Sequence, residues 1–269
     1  MISLPEGTVE YQEMGAGPAI VFVPGSFSTG SSWRSLTKPL SERYRTVTTS
    51  LSGYGNTQER RKPGGIYIED EMDVLEAVLA HAGGPVHLVA HSFGAWVALI
   101  FAMRRSPELM SLTLLEPTAF NVLAPGGETA LNQQVHTMTD RYFADWQGGD
   151  QRAVRHVIDF YGGTGTWDSW PSPVQHKVIS QTSTNILDWQ TGYADSIQLA
   201  DLSLVTVPTL VVYGATSHLA MRRCNHLLGD HLPHAETTAL EGANHFMVST
   251  HAAELTDRIE EHIRRVTQG

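Results

Sequence analysis

The chain has 269 residues, 41% of them hydrophobic, which is enough for one large α/β domain or for a domain with an insertion. Its formal net charge of -10 at pH 7 argues against nucleic acid and anionic membranes as partners, because both require a basic surface. The single cysteine, Cys224, excludes an internal disulfide. The first residues lack the basic and apolar regions of a signal peptide, and no apolar run is long enough to span a membrane. We therefore expect a soluble, cytoplasmic protein.

The first third of the chain alternates between predicted strands and helices. Residues 9–14 alternate enough in polarity for an early antiparallel strand. Residues 19–23 form a continuous apolar run, as a strand buried on both faces should. A β-branched strand follows at 45–51, and apolar residues at helical spacing predict a helix at 67–81.

The most informative segment is an apolar run that stops at a serine. Residues 86–91 are predicted to form a buried strand and residues 95–104 a helix, with Ser92 between them. The small residues Ala90 and Gly94 stand two positions to either side of the serine. This pattern is typical of a nucleophile elbow, a strained turn in which bulky neighbours would collide with the serine. The alternative interpretation is a serine that caps an ordinary core helix.

The character of the sequence changes after a short predicted strand at 112–115. Residues 119–200 contain no convincing strand and are rich in tryptophan and tyrosine. Beyond them we predict, in order, a strand at 209–213, a helix at 221–228, a strand at 235–240 and an amphipathic helix at 252–266. Strands alternating with helices on both sides of a helical stretch indicate an α/β protein with a mostly parallel sheet. We therefore assign residues 1–118 and 201–269 to one core domain and residues 119–200 to an inserted helical lid, or cap.

Four short motifs follow one another along the chain, namely VPGSF at residues 23–27, HSFG at 91–94, VPTLVVYG at 207–214 and GANH at 242–245. Each motif alone is weak. Their order and spacing together resemble the α/β-hydrolase fold family over nearly the whole chain. The resemblance implies a mostly parallel central sheet with helices on both faces and a helical cap insertion.

The resemblance also implies roles for four residues. Ser92 is implied as the nucleophile, and His245 as the general base that removes the serine proton. The backbone N–H groups of Ser26 and Phe93 are implied as the oxyanion hole, which stabilises the negative oxygen of a tetrahedral intermediate. Because the chain has 13 histidines, a surface-loop histidine is the alternative interpretation of His245.

The acid of a catalytic triad is missing from its usual place. Most members of the family have an Asp in the loop where this chain has Ser217. We predict Glu116 instead, at the end of the strand at 112–115, because neighbouring strand ends open onto the same edge of a parallel sheet. Some haloalkane dehalogenases of this fold take their acid from that neighbouring strand. Asp195 and Asp201 are weaker candidates, and the alternative for Glu116 is a polar residue that merely ends a strand.

A serine at the elbow excludes the mechanisms of epoxide hydrolases and haloalkane dehalogenases, which need a carboxylate nucleophile. An acyl-enzyme route remains, and we predict a hydrolase of carboxylic esters with small apolar substrates. Hydrolysis of carbon–carbon bonds or lactones by the same residues is the second hypothesis. A non-catalytic ligand receptor and an acyltransferase are further alternatives.

The aromatic residues predict an apolar pocket for a small-molecule substrate. We select Phe27, Trp146, Trp167 and Trp170 as candidate substrate contacts. Because a helical lid must also bury its own core, packing is the alternative role for its tryptophans.

A metal site is suggested only by His87 and His91, which are four residues apart. One lies in a predicted strand and the other in a turn, so they do not share a face as they would on a helix. We therefore expect no metal and no cofactor, and the sequence leaves the oligomeric state open.

Overall fold

The computed structural model describes residues 1–4, 7–62, 65 and 68–268. The strands of this described part are β1 (Ile2–Leu4), β2 (Gly7–Val9), β3 (Gln12–Met14), β4 (Ala19–Val23), β5 (Arg45–Thr48), β6 (Val86–His91), β7 (Leu109–Leu115), β8 (Thr209–Gly214) and β9 (Ala235–Leu240). Its α-helices are α1 (Arg34–Leu40), α2 (Ile68–Ala82), α3 (Ser92–Arg105), α4 (Thr129–Gln147), α5 (Arg155–Gly162), α6 (Thr166–Ser169), α7 (Ser172–Ser180), α8 (Thr182–Ala194), α9 (Leu219–His231), α10 (Met247–Thr250) and α11 (Ala252–Gln268).

Seven strands form the central sheet in the order β3-β5-β4-β6-β7-β8-β9. Only the pairing of β3 with β5 at one edge is antiparallel within the described sheet; the other neighbours are parallel. β1 and β2 form a separate antiparallel pair. The predicted fold, a mostly parallel sheet with helices on both faces, is therefore confirmed.

The two faces of the sheet bury two apolar cores. In β4 all five residues are buried, as expected for a strand covered on both sides. Its side chains alternate between the cores: Ile20 and Phe22 pack with Trp33 and helix α11, whereas Val21 packs on the side of helices α2 and α3. This double burial explains why the central strands read as continuous apolar runs in the sequence.

Most predicted elements are present, and several bounds differ by a few residues: the strand predicted at 45–51 is Arg45–Thr48, the strand predicted at 112–115 is Leu109–Leu115, and the helix predicted at 221–228 is Leu219–His231. One further difference has an identifiable reason. The strand predicted at 9–14 is divided between two strands, β2 and β3, because Glu10 interrupts it. The buried Glu10 carboxylate accepts the backbone amide of Asn56 at 2.8 Å, and the Glu10 backbone amide donates to the Thr57 hydroxyl at 3.0 Å. The Glu10 backbone thus leaves the strand ladder. The described part of the next predicted helix begins at Ile68, and Tyr67 lies outside the described residues.

Residues 119–200 form a helical segment between β7 and β8, and all of them are described. The segment contains α4 to α8 and a short 3-10 turn at Phe120–Val122, a second 3-10 turn (Leu199–Leu204) begins at its end, and no strand occurs within these described residues. Its helices α5 and α8 carry side chains that reach the carboxyl ends of the sheet strands: Tyr161 stacks on His245, and Asp188 contacts Ser26. No helix in the described part of the chain combines the length and apolarity needed to span a membrane.

Candidate active site

Three polar side chains meet at the carboxyl edge of the sheet. Ser92 follows β6 directly, Glu116 follows β7, and His245 lies in the loop after β9. β6 to β9 are consecutive parallel neighbours, so their carboxyl ends share one edge. This topology brings together residues that are up to 153 positions apart in sequence.

Ser92 occupies a sharp turn between β6 and α3. Its φ of 57° lies in the left-handed region, which disfavours residues other than glycine. The turn is tightly enclosed: a Cβ on Gly94 would collide with the carbonyl oxygen of Pro24, and a Cβ on Gly25 would lie 2.6 Å from that of Ser92. Steric enclosure therefore requires the small residues around the serine.

Ser92, His245 and Glu116 form a continuous hydrogen-bonded chain. The Nε2 atom of His245 lies 2.9 Å from the Ser92 hydroxyl, and its Nδ1 atom lies 2.7 Å from Oε2 of Glu116. Because a carboxylate only accepts hydrogen bonds, Nδ1 carries the proton and Nε2 is free to accept the serine proton. All three side chains are buried, Glu116 completely.

Glu116 is anchored from both sides. Its second carboxylate oxygen, Oε1, accepts the amide N–H of Gly214 at 2.9 Å, and its own amide donates to the carbonyl of Val212 at 2.7 Å. Its φ of 44° is also left-handed. Ser217, at the usual place of the acid, is buried, and its hydroxyl has no hydrogen-bond partner among the described residues.

Two rings flank His245. Tyr161, from α5 of the helical segment, stacks on it with ring centroids 4.1 Å apart, and His91 lies 4.9 Å away. The Nε2 atom of His91 lies 3.0 Å from the His245 carbonyl oxygen and must donate, since that oxygen only accepts. Burial lowers the pKa of His91 to about 3, with a further contribution from His245, so His91 is neutral near pH 7. Sequence reasoning missed both flanking contacts.

Ser26 and Phe93 lie on either side of the serine turn. Phe93 is the second residue of α3, where amides have no acceptor within the helix. Neither amide has a hydrogen-bond acceptor among the described residues. The side-chain hydroxyl of Ser26, unlike its backbone amide, has a hydrogen-bond partner: it donates to Oδ2 of Asp188 at 2.5 Å.

Two hollows, an inner cavity and an outer cleft, adjoin the hydrogen-bonded chain of Ser92, His245 and Glu116. The inner cavity is defined by Ser26, Phe93, Thr118, Phe120, Asn121, Tyr161, Asn185, Asp188, Trp189, Gly192 and Tyr193. The outer cleft contains Ser92 and His245 in its wall, together with apolar side chains that include Phe27, Tyr161, Trp170, Val174 and Phe246. Ser26 and Tyr161 belong to both hollows.

The four predicted substrate contacts fall in two groups. Phe27 and Trp170 line the outer cleft. Trp167 is only 1% exposed and packs in the core beside Trp170, and Trp146 packs partly buried against the same core. Neither Trp146 nor Trp167 lines the inner cavity or the outer cleft. Aromatic composition alone does not distinguish these two positions from the cleft positions.

A buried ionic cluster beside the inner cavity has no counterpart in the sequence analysis. The guanidinium of Arg61, which is fully buried, lies 2.6 Å from Asp188 and 3.2 Å from Glu71, and a third carboxylate, that of Glu59, lies at 2.8 Å. Burial raises the pKa of Asp188 above its usual range and that of Glu71 to about 7, while Arg61 opposes both shifts. Glu59 and Glu71 are near Arg61 in the sequence, but Asp188 is 127 positions away, so no spacing pattern indicates the cluster.

The weaker acid candidates are engaged elsewhere. Asp195 pairs with Arg104 at 2.5 Å, and Asp201 accepts the amide of Gln198 at 2.7 Å at the start of a 3-10 turn. His87 is hydrogen-bonded to Ser111 at 2.8 Å. The described residues contain no group of three or more His, Cys, Asp or Glu side chains that could hold a metal ion.

Comparison with known proteins agrees with this architecture. The pimeloyl-[acyl-carrier protein] methyl ester esterase of Aeromonas hydrophila is 24% identical over 268 residues, which cover 94% of this chain and 98% of that protein. A thermophilic esterase from Thermogutta terrifontis has a TM-score of 0.75 at 19% identity, covering 96% of this chain and 93% of its own. Est816, described as an N-acyl homoserine lactone degrading enzyme, also has a TM-score of 0.75 at 19% identity, covering 97% and 98%.

These solved structures share the fold of this chain. The sequence model described as the alpha/beta hydrolase family matches residues 20–258, which is most of the chain. The resemblance carried by the four motifs is thereby confirmed, and the chain belongs to the alpha/beta hydrolase family.

Proposed function

We propose that the protein hydrolyses carboxylic esters through an acyl-enzyme on Ser92. The observation that carries this proposal is the unbroken hydrogen-bonded chain from the Ser92 hydroxyl through His245 to Glu116. Such a chain is what a serine nucleophile requires, because a serine hydroxyl attacks a carbonyl efficiently only if a base removes its proton. A protein that merely binds a ligand has no need of it, which argues against the receptor hypothesis.

In the first half of the reaction, the Ser92 oxygen attacks the ester carbonyl carbon while Nε2 of His245 takes the hydroxyl proton. The carbonyl π electrons move to oxygen, and the amides of Ser26 and Phe93 stabilise the resulting oxyanion. When the intermediate collapses, the bond to the alkoxy group breaks and the alcohol leaves with the proton from His245. General acid–base assistance of this kind contributes about 10²- to 10⁴-fold to a rate.

In the second half, water attacks the acyl-enzyme. His245 now removes a proton from the water, and the same two amides stabilise the second oxyanion. The bond to Ser92 breaks, the serine oxygen recovers its proton from His245, and a carboxylic acid is released. Glu116 keeps Nδ1 of His245 protonated throughout and stabilises the imidazolium that forms in each half.

The outer cleft, whose wall is mostly apolar, supports a small substrate with apolar groups beside the ester. Phe27 and Trp170 contribute apolar surface to the outer cleft, and Phe120 and Trp189 stack in the inner cavity with ring centroids 5.6 Å apart. We assign residues 119–200 the role of a lid, because their side chains supply much of both hollows. The proposed substrate class, carboxylic esters, follows from the relatives that are named as esterases. We also propose that the protein acts in the cytoplasm.

Lactone hydrolysis is the second candidate, since a lactone is a cyclic ester and needs the same residues. The structural likeness to Est816 supports this candidate over 97% of the chain. Carbon–carbon bond hydrolysis and acyl transfer use the same groups, and they differ in the products formed. Product analysis with an open ester, a lactone and an added alcohol therefore separates these reactions.

The direct test is turnover of short-chain p-nitrophenyl esters by the wild-type protein and by Ser92→Ala. We expect wild-type turnover and a loss of at least about 10⁴-fold in the variant, since removing a nucleophile of this kind has effects near 10⁶. Circular dichroism checks that the variant is folded. Turnover of Ser92→Ala at the wild-type rate, or no turnover of any ester or lactone by the wild type, rejects the proposal.

A further inference from the structure

The Ser26 hydroxyl is held by a carboxylate from a distant part of the chain. Asp188 lies in α8 of the helical segment, 162 positions from Ser26, and its Oδ2 accepts the Ser26 hydroxyl at 2.5 Å. Both residues line the inner cavity, and Asp188 is only 2% exposed. A buried charge-assisted hydrogen bond of this length is among the stronger polar contacts in a protein.

Asp188 is itself fixed by two further donors. The Tyr54 hydroxyl donates to the same Oδ2 atom at 2.6 Å, and Arg61 donates to Oδ1 at 2.6 Å. Arg61 also donates to the carbonyl of Ser52 at 3.1 Å, so the loop after β5 is part of the same assembly. The carboxylate that holds Ser26 is therefore itself held in place.

The turn that contains Ser26 needs such an external contact. The next residue, Phe27, has a φ of 61°, a left-handed conformation that costs about 1–2 kcal/mol for a residue with a side chain. Among the described residues, one backbone–backbone hydrogen bond closes the turn, from the Ser28 amide to the Gly25 carbonyl, and it is long, at 3.3 Å. A strained turn persists only when its surroundings fix it, and the bond to Asp188 is a contact of that kind.

We propose that Asp188 is a positioning residue, which sets the direction of the Ser26 amide through the Ser26 hydroxyl and thereby completes the oxyanion site. The inference rests on the proposed function. It predicts an effect on the transition state more than on substrate binding, because the oxyanion forms only after attack begins. It also means that the helical segment contributes to catalysis as well as to the substrate pocket.

The test compares Asp188→Asn, Ser26→Ala and the double variant. Asparagine keeps the shape of Asp188, and Arg61 retains Glu59 and Glu71 as counter-charges, so the buried guanidinium is not left unpaired. We expect each single variant to lower kcat about 10- to 100-fold with KM changed less than about threefold, somewhat less than the loss of a whole oxyanion donor. If Asp188 acts through Ser26, the double variant is no worse than the single variants.

Asp195→Asn is the matched control. Asp195 lies just after α8, is 7% exposed and pairs with Arg104, but it lines neither hollow. The same change of charge there should leave kcat within about twofold of wild type, as for substitutions away from a site. Thermal unfolding of all variants identifies any general loss of structure.

A transition-state analogue provides a second readout. A trifluoromethyl ketone adds to an active serine and places a negative oxygen in the oxyanion site, so its inhibition constant should rise in the variants by the factor by which kcat/KM falls. Ser26→Ala alone decides the matter if Asp188→Asn does not fold. The inference is overturned if kcat is unchanged in Ser26→Ala, or if the losses of kcat in the two single variants multiply in the double variant. Either result leaves the proposed function standing as long as the wild type turns over the ester. Absence of wild-type turnover rejects both.

Discussion

Glu116 follows β7, yet its carboxylate accepts the amide of Gly214 at the end of the neighbouring strand β8 at 2.9 Å. The Glu116 carboxylate thus reaches the strand after which the family resemblance places an acid. The additional methylene of glutamate, compared with aspartate, suits this reach across the sheet edge. Both carboxylate oxygens then face donors, one from Gly214 and one from His245.

Replacement of Glu116 by glutamine should lower kcat by about 10³- to 10⁴-fold, as in a triad whose acid is converted to an amide. Because both partners of the carboxylate are donors, the amide NH₂ of glutamine must face one of them. One hydrogen bond is then lost, or His245 takes the wrong tautomer. Steady-state kinetics on a p-nitrophenyl ester measures the effect. A loss of only a few-fold would assign the acid role to another group.

An aspartate at position 217 should partly restore the Glu116→Gln variant. The Ser217 hydroxyl is buried and has no partner among the described residues, and it lies in the loop where the resemblance places an acid. We expect the Glu116→Gln, Ser217→Asp double variant to recover at least about tenfold in kcat, within the range that a positioned carboxylate contributes. Ser217→Asp in the wild-type background is the control for stability. No recovery in a folded double variant counts against a common position for the two acids.

Substitution of Gly94 by alanine should destabilise the protein by about 1–3 kcal/mol, as overpacking does. A Cβ at this position collides with the carbonyl oxygen of Pro24, which is backbone and has little freedom to move. Gly192 is the matched control, since it is also helical and a Cβ there meets nothing within 4 Å. Gly192→Ala should be neutral or stabilising by up to about 1 kcal/mol. Urea unfolding compares them, and equal effects of the two substitutions contradict the steric account.

The elements that the sequence predicts best are those with purely local causes. Strand β4 is a continuous apolar run bounded by Pro18 and Pro24, and its observed bounds equal the predicted ones. Helix α1 was not predicted, because it is short and contains Pro39. The turn at Ser92 could be anticipated because small residues on both sides of a serine have a steric cause that is visible in the sequence.

Contacts between distant segments could not be predicted in the same way. The bond between Ser26 and Asp188 and the pairing of Asp188 with Arg61 join residues more than a hundred positions apart. Ser26 lies in a motif, but no periodicity or motif marks Asp188 or Arg61, since a lone Asp in a helix is usually solvated. The stacking of Tyr161 on His245 likewise depends on where α5 packs. These contacts required the tertiary structure.

Glu71 should make stability fall as pH rises from the acidic range to neutrality. Burial raises its pKa from 4.5 to about 7, so between these values the folded state holds a proton that the unfolded state has released. The contribution of Glu71 to stability is therefore lost on raising the pH through this window, by on the order of 3 kcal/mol at 1.36 kcal/mol per pKa unit, whereas the buried His91, whose pKa is lowered, contributes in the opposite direction. Glu71→Gln should remove this contribution, so that in urea unfolding the free energy of unfolding of the variant rises relative to that of the wild type as the pH is raised across the window.

Glu69→Gln is the control for that experiment, because Glu69 lies on the same helix with its side chain 57% exposed. Its stability curve should run parallel to that of the wild type. A Glu71→Gln curve that also runs parallel to the wild type would show that Glu71 titrates alike in the folded and unfolded states.

We propose above all that His245 makes Ser92 nucleophilic. Reaction with a fluorophosphonate followed by mass spectrometry of peptides tests it most directly, because the probe reports the reactive atom independently of the natural substrate. We predict one adduct, on Ser92, that forms in the wild type and is slowed by at least about 10³-fold in His245→Ala, as expected for loss of a catalytic base. An adduct on another residue, or equal labelling of Ser92 with and without His245, would contradict the account.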